Sequence, residues 1–191
     1  MSDAQQKPVP LTTPLSKQDV AALRAGDRVL LSGVAYAARD TAHKRLVKLL
    51  ENGEEPPFAL DGQAIYYAGP SPTRPGEVIG SAGPTTSGRM DRYTPALLKA
   101  GVRATIGKGK RSVETVEAMK QYGAVYFAVV GGCAALIAQS IVACDVVAFP
   151  ELGPEAVRRL EFKDLPVFVV NDVTGRDLYD EGAAKYRTTD V

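Results

Sequence analysis

At 191 residues with 45% hydrophobic side chains, the chain carries enough apolar surface for one ordinary domain and too little for a second core of similar size. Its 23 basic and 22 acidic residues leave a formal net charge of +1, so no broad field is available to hold nucleic acid or an anionic membrane. The expected partner is a small molecule or another protein. One domain is expected over residues 16–180, after a flexible N-terminal segment, 1–15, and before a C-terminal tail, 181–191.

The longest apolar stretch, "AVYFAVVGGCAALIAQSIVACDVVAF", is divided by Gly131-Gly132, Gln139, Ser140 and Asp145 into strand, turn, helix and strand, which argues against a membrane-spanning helix. The N-terminus, "MSDAQQKPVPLTTPLS", has no apolar core after a basic start, so no secretory signal is expected and the chain is placed in the cytoplasm. The two cysteines, Cys133 and Cys144, lie in apolar surroundings and are expected to be buried free thiols.

In chain order, Ser16 with Asp19 forms a capping-box pattern for a short helix that Gly26 ends. "DRVLLSGVAYAARD" follows as a strand. Asp40 then caps "TAHKRLVKLLENG", whose Ala42, Leu46, Leu49 and Leu50 make an apolar stripe and whose Gly53 terminates it. "QAIYYAG" and "EVIGSAG" are expected as short strands around the turn-rich "PSPTRPG". Beyond them strand-like "RATIGKG", helical "SVETVEAMKQYG", strand-like "AVYFAVVGG", helical "CAALIAQSIVA", strand-like "CDVVAFP" and "LPVFVVND" alternate at α/β spacing. The continuous Val, Ile and Phe runs predict an α/β fold with a parallel or mixed sheet covered by helices. The first dozen residues and "AAKYRTTDV" are expected to be loose.

Residues 83–90, "GPTTSGRM", approximate a phosphate-binding loop, but Arg89 stands where the phosphate lysine belongs and Met90 where the magnesium-binding hydroxyl belongs. Nucleotide binding is therefore not expected. "AGPTTSGRMD", "IGKGKRS" and "VGGCAAL" all leave strand ends, where free backbone N–H groups collect ligands in α/β folds. Arg89, Lys108 and the hydroxyls of Thr85, Thr86 and Ser87 suit a small carboxylate, onto which an arginine can fork with two parallel hydrogen bonds. The plainer alternative is a tight turn with capping hydroxyls and a solvated Arg89, and for "GKGKRS" a soluble basic turn. "GGCAAL" reads most simply as close helix packing, with Cys133 no nucleophile. His43, the one histidine, is either a surface residue near a helix N-terminus or a proton-handling group. One His and two separated Cys offer no metal-ligand spacing.

"ARDTAHKR", "YYAGP", "GSAGPTTSGRMD", "IGKG" and "GGCAAL", in this order over about residues 10–180, resemble the β subunit of two-subunit class I iron–sulfur fumarases and the C-terminal region of the single-chain forms. "SAGPTTSGRMD" is the specific part. Tartrate dehydratase β subunits share the "GPTTS-R" frame, and Gly88 with "GGCAAL" favours fumarase here. The resemblance implies a swivelling β/β/α domain and the reversible hydration of fumarate to (S)-malate. It also implies a 4Fe-4S cluster held by an α subunit; such a cluster needs three protein thiolates, and this chain has two cysteines. The same resemblance points to Arg39, Thr85, Arg89 and Lys108; with the residue-level readings, Thr85, Lys108 and His43 are candidate catalytic groups and Arg39, Arg89, Thr86 and Gly83 candidate substrate-binding groups. Self-association of the β chain or a hetero-oligomer is expected. A carboxylate-binding module without a catalytic partner is the alternative from a different class.

Overall fold

A computed structural model describes residues 7–187. Seven strands form one mixed sheet: β1 (Val9–Thr13), β2 (Arg28–Ala37), β3 (Ala64–Tyr66), β4 (Ala104–Gly107), β5 (Val125–Ala128), β6 (Ile141–Ala148) and β7 (Val157–Asn171). β1 to β5 run parallel in sequence order, whereas β7 is antiparallel to β2, β5 and β6. Because β7 pairs with both β2 and β5, the path β2, β3, β4, β5, β7 returns to β2 and the pairings close on themselves. A bulge helps the closure. Between Leu31 and Gly33 of β2 the partner register on β7 moves from Leu165 to Phe162, so β7 carries one extra residue there, and extra residues bend and twist a strand pair. Asp164 takes a positive φ of 51° at that point, and its N–H is held by the Ser32 hydroxyl at 2.9 Å.

Side-chain alternation sorts the core into two parts. Ala64, Tyr66, Val125 and Phe127 pack with Leu31, Leu160, Phe162 and Val167 inside the strand circuit. Their neighbours Ile65, Tyr67 and Tyr126 face the other way, against α2 (Asp40–Glu51), α3 (Thr94–Lys99) and α4 (Val113–Tyr122), where Leu46, Leu97, Leu98 and Met119 are buried. The period of two in a strand requires this division.

The capping box forms as expected at α1 (Lys17–Ala22): Asp19 N–H donates to Ser16 Oγ at 3.1 Å and Ser16 N–H to the Asp19 carboxylate at 2.7 Å. Several expectations need correction. Val9–Thr13, placed in the flexible segment, pair along β2 as an edge strand, because Val9 and Leu11 pack on the core. "EVIGSAG" is loop, since the chain there is spent on reaching the site described below. The helix predicted over "CAALIAQSIVA" stops early: α5 covers Ala134–Gln139, and Ile141 already pairs with Phe162 in β6. Residues 181–186, assigned to a tail, belong to α6 (Leu178–Tyr186); residues 1–6 and 188–191 lie outside the described residues. Cys133 and Cys144 are free and only half-buried. No helix among the described residues is long and apolar enough to cross a membrane.

Candidate active site

The carboxyl ends of β2, β3, β4 and β5 lie level, with Ala37 opposite Tyr66, Tyr66 opposite Ile106 and Ile106 opposite Phe127. "ARDTAHKR", "YYAGP", "IGKG" and "GGCAAL" leave this edge from β2, β3, β4 and β5, whereas "GPTTSGRM", expected at a strand end, follows a loop. "GPTTSGRM" is laid across the edge: Pro84 bridges to Ala68 beyond β3, Thr86 bridges to Lys108 beyond β4, and Thr85 N–H donates to the Tyr67 carbonyl at 2.7 Å. Ser87–Met90 form a 3-10 turn whose first N–H donates to the Lys108 carbonyl at 2.9 Å. Close approach decides two glycines. A Cβ on Gly107 would overlap Ser87 Oγ and stand 2.9 Å from the Tyr67 ring, and one on Gly83 would stand 2.9 Å from the Ala134 methyl group. Gly83 therefore serves packing of the loop on α5.

The two arginines are both paired with carboxylates. Arg89 donates from Nε to Asp40 Oδ1 at 3.0 Å and from Nη2 to Asp40 Oδ2, which holds the Asp40 carboxyl below its usual pKa. Asp40 occupies the side-on edge of the guanidinium only. Nη1 makes no hydrogen bond among the described residues, and the end-on edge is available for a second carboxylate. Arg39 donates from Nη2 to Glu155 at 3.2 Å, with its Nε against Gly69 of "YYAGP" and without a hydrogen-bond partner. Glu155 also accepts from Thr41 N–H at 2.9 Å, which keeps its carboxyl ionised to lower pH. The cap expected from Asp40 is thus supplied by Glu155, 114 residues away, because Asp40 is engaged by Arg89 and stands as the first helical residue.

Lys108 is exposed, with its stem beside Gly131 of the "GG" turn. Thr85 is half-buried and Thr86 exposed, both in the loop between the arginine cluster and Lys108. Six of the seven nominated residues therefore gather at one edge: Arg39, Gly83, Thr85, Thr86, Arg89 and Lys108. His43 does not reach its surface. It is fully buried, edge-on to Tyr67 with ring centroids 5.2 Å apart, and neither ring nitrogen has a partner among the described residues. Burial lowers its pKa to about 4, so the ring is neutral. The surface reading of His43 is corrected by its position on the inner face of α2, under the site.

A buried polar network lies beneath the loops, and the sequence reading missed it. Arg111, from the "GKGKRS" segment expected as a soluble turn, has a side chain with no exposure. Its Nε donates to Asp91 at 2.7 Å, Nη1 to Thr105 at 2.9 Å, and Nη2 to Thr94 at 2.9 Å and to the Tyr67 hydroxyl at 3.3 Å. The guanidinium carbon sits 5.3 Å from the Tyr67 ring centre and 4.9 Å from that of Tyr126. Asp91 accepts in turn from Ser112 N–H at 2.7 Å at the start of α4. A buried cation needs such saturation. Asp91, two residues after Arg89, was the available signal, since a lone acidic residue entering a buried turn needs a cation.

The family model described as Fumarase C-terminus matches residues 1–182. The chain is 41% identical over 180 residues to "Fumarate hydratase 2" of Leishmania major, covering 92% of this chain and 32% of that protein. It is 40% identical over 156 residues to "Fumarate hydratase class I, aerobic" of Escherichia coli strain K12, covering 81% of this chain and 28% of that one. With the "Putative L(+)-tartrate dehydratase subunit beta" of Methanocaldococcus jannaschii it shares 42% over 173 residues, 87% of this chain and 89% of that one. The chain belongs to the fumarase C-terminus family. It spans about a third of the length of the fumarate hydratases it matches.

Proposed function

We propose that this chain is the β component of a class I fumarase-type hydro-lyase, interconverting (S)-malate and fumarate at a site completed by an α subunit. The observation that carries the reading is Arg89, fixed side-on by Asp40 with its end-on edge free, at the same strand edge as Arg39 and Lys108. A dicarboxylate needs two cationic anchors, and loss of the proton next to one carboxylate builds charge on that group. Preorganised Arg and Lys donors stabilise this charge by about several kcal/mol in a closed site. Thr85 is the proposed proton-transfer group, with Lys108 or a carboxylate of the partner to activate it, because an unassisted alcohol is a weak base. Thr86 and the backbone amides of the loop orient the substrate. His43 is withdrawn from direct contact and supports Tyr67.

Among the described residues no group of three or more His, Cys, Asp or Glu side chains could hold a metal ion. The 4Fe-4S cluster that the resemblance implies would be held by the α subunit and, when bound, would supply Lewis-acid polarisation of the departing hydroxyl. The closed strand circuit supports the swivelling β/β/α arrangement. A second reading, the β subunit of a tartrate dehydratase, is favoured by the relative of that name being covered over 89% of its length.

The test is the assembled complex with its α subunit, assayed on (S)-malate and L-tartrate. Turnover of malate alone supports fumarase, turnover of tartrate alone supports the second reading, and a lone protein that assembles with nothing and binds only the acid returns it to a carboxylate-binding module. Within an active complex, Thr85→Val is expected to slow single-turnover dehydration by about a hundredfold or more while Thr86→Val does not. Equal small losses in both variants would remove Thr85 from proton transfer.

A further inference from the structure

The Lys108 loop turns at Gly109, and both backbone polar groups of this residue end on tyrosines. Its carbonyl accepts from the Tyr126 hydroxyl at 2.9 Å, and its N–H donates to the Tyr179 hydroxyl at 3.3 Å. Tyr126 has a single hydroxyl proton, which this bond uses. The 2.9 Å contact between its oxygen and Ser87 Oγ is therefore a hydrogen bond donated by Ser87. One hydroxyl thus joins the loop that carries Lys108 to the loop that carries Thr85, Thr86 and Arg89.

The ring that bears this hydroxyl is held firmly. Tyr126 lies in β5, is fully buried and has the Arg111 guanidinium over its face. Burial drives its pKa upward, so the hydroxyl keeps its proton, and with it the direction of both hydrogen bonds, throughout the neutral range. Arg111 in turn ties the same two segments from below, through Asp91 and Thr94 on one side and Thr105 on β4 on the other. Besides these groups the loops meet through the Ser87 N–H to Lys108 carbonyl bond, the adjoining Thr86–Lys108 bridge and, further along both segments, the Ser112 N–H to Asp91 bond. Among these ties the Tyr126 hydroxyl is the one that reaches the turn of the Lys108 loop at Gly109 and holds it to Ser87.

We propose that Tyr126 is a positioning residue of this site: its hydroxyl, receiving from Ser87 and donating to Gly109, sets the spacing between Lys108 and the Thr85–Arg89 segment without touching the ligand. The identity of the ligand rests on the hydro-lyase reading; the coupling of the two loops does not. Misplacement by about 1 Å is enough to cost a catalytic constellation about a hundredfold.

Tyr126→Phe removes the oxygen and keeps the ring that fills the core, and Ser87→Ala removes the other partner. Amide hydrogen exchange in the free chain is read at Ser87, Lys108 and Gly109 by NMR, beside thermal unfolding. Each single variant is expected to accelerate exchange in both loops by about tenfold or more, with the double variant no faster than either, while the melting temperature falls by only a few degrees. Exchange unchanged in both loops, or raised only in the loop that carries the substitution, overturns the proposal. In the assembled enzyme Tyr126→Phe is expected to lower kcat by about tenfold or more with KM changed less than about threefold. A kcat equal to wild type, with only the melting temperature reduced, would make the hydroxyl structural and overturn the positioning role. A wild-type complex without turnover would fail the hydro-lyase reading alone, because the exchange measurement still decides whether Tyr126 couples the loops.

Discussion

Arg111 and Arg89 stand on segments that touch, and they use the same side chain for opposite purposes. Arg111 turns all three of its nitrogens inward to Asp91, Thr105, Thr94 and Tyr67, with none of its side chain exposed. Arg89 spends one edge on Asp40 and leaves the other open, with 49% of its side chain exposed. The interior of the strand circuit sharpens the contrast, since Leu31, Phe127, Leu160 and Val167 need no polar partners there. Buried polarity under the site loops includes His43, Ser87, Thr94, Thr105 and Arg111. It costs desolvation, and what it gives in return is a fixed platform.

The largest effect that tests this contrast is expected at Arg111. Arg111→Met removes the cation facing the Asp91 carboxylate and the donor to the Thr94 and Thr105 hydroxyls and should destabilise the chain by about 3–5 kcal/mol in urea unfolding. Leu31→Ala, in the apolar interior, should cost about 2–5 kcal/mol by a different route, the cavity. A neutral Arg111→Met would show that the platform is dispensable and would erase the distinction between the two regions.

A smaller effect comes from His43 under the same loops. Its folded pKa, about 4, lies below the unfolded value, so the unfolded chain takes up a proton first as pH falls. Its contribution is complete above about pH 6.5 and declines toward pH 4, by about 3 kcal/mol in all. Unfolded carboxylates titrate near 4, so most of this window belongs to the histidine. In urea melts from pH 7 to 4.5 wild type should lose about 2–3 kcal/mol relative to His43→Leu as pH falls, with the variant nearly flat. Parallel curves would place the proton elsewhere.

Arg89→Lys is expected to have the smallest effect on the fold. The pair with Asp40 is half-exposed, so stability should change by less than about 1 kcal/mol. In the assembled enzyme kcat/KM should nevertheless fall by about 10- to 100-fold, because lysine keeps the charge and loses the planar fork. Wild-type kinetics would return Arg89 to a solvated turn, and a large loss of stability would make it a second Arg111.

How much of this was legible in the sequence depended on the distance between partners. The Ser16–Asp19 box, the strands around Val29 and Val125 and the helix over "SVETVEAMKQYG" were readable because their causes lie within a few residues. The extent of β6 was not. "SIVA" is compatible with either a helix or a strand, and pairing with Phe162 and Glu161 decided it. Val9–Thr13 looked loose because nothing local marks an edge strand whose register is set by β2.

The sequence by itself determined the class of fold, the family through "SAGPTTSGRMD", and six of the seven nominated residues at one edge, because strand ends and glycine turns are local features that topology only has to align. Tertiary structure alone decided the state of each ionisable group. Glu155 replaced Asp40 as the cap of α2, Asp40 became the clamp of Arg89, His43 went inside, and one of three basic residues in "GKGKRS" became a buried cation while Lys108 and Lys110 stayed outside. The physical reason is that charge and hydrogen-bonding state depend on burial and on partners brought from distant segments, and no local pattern of residues records either.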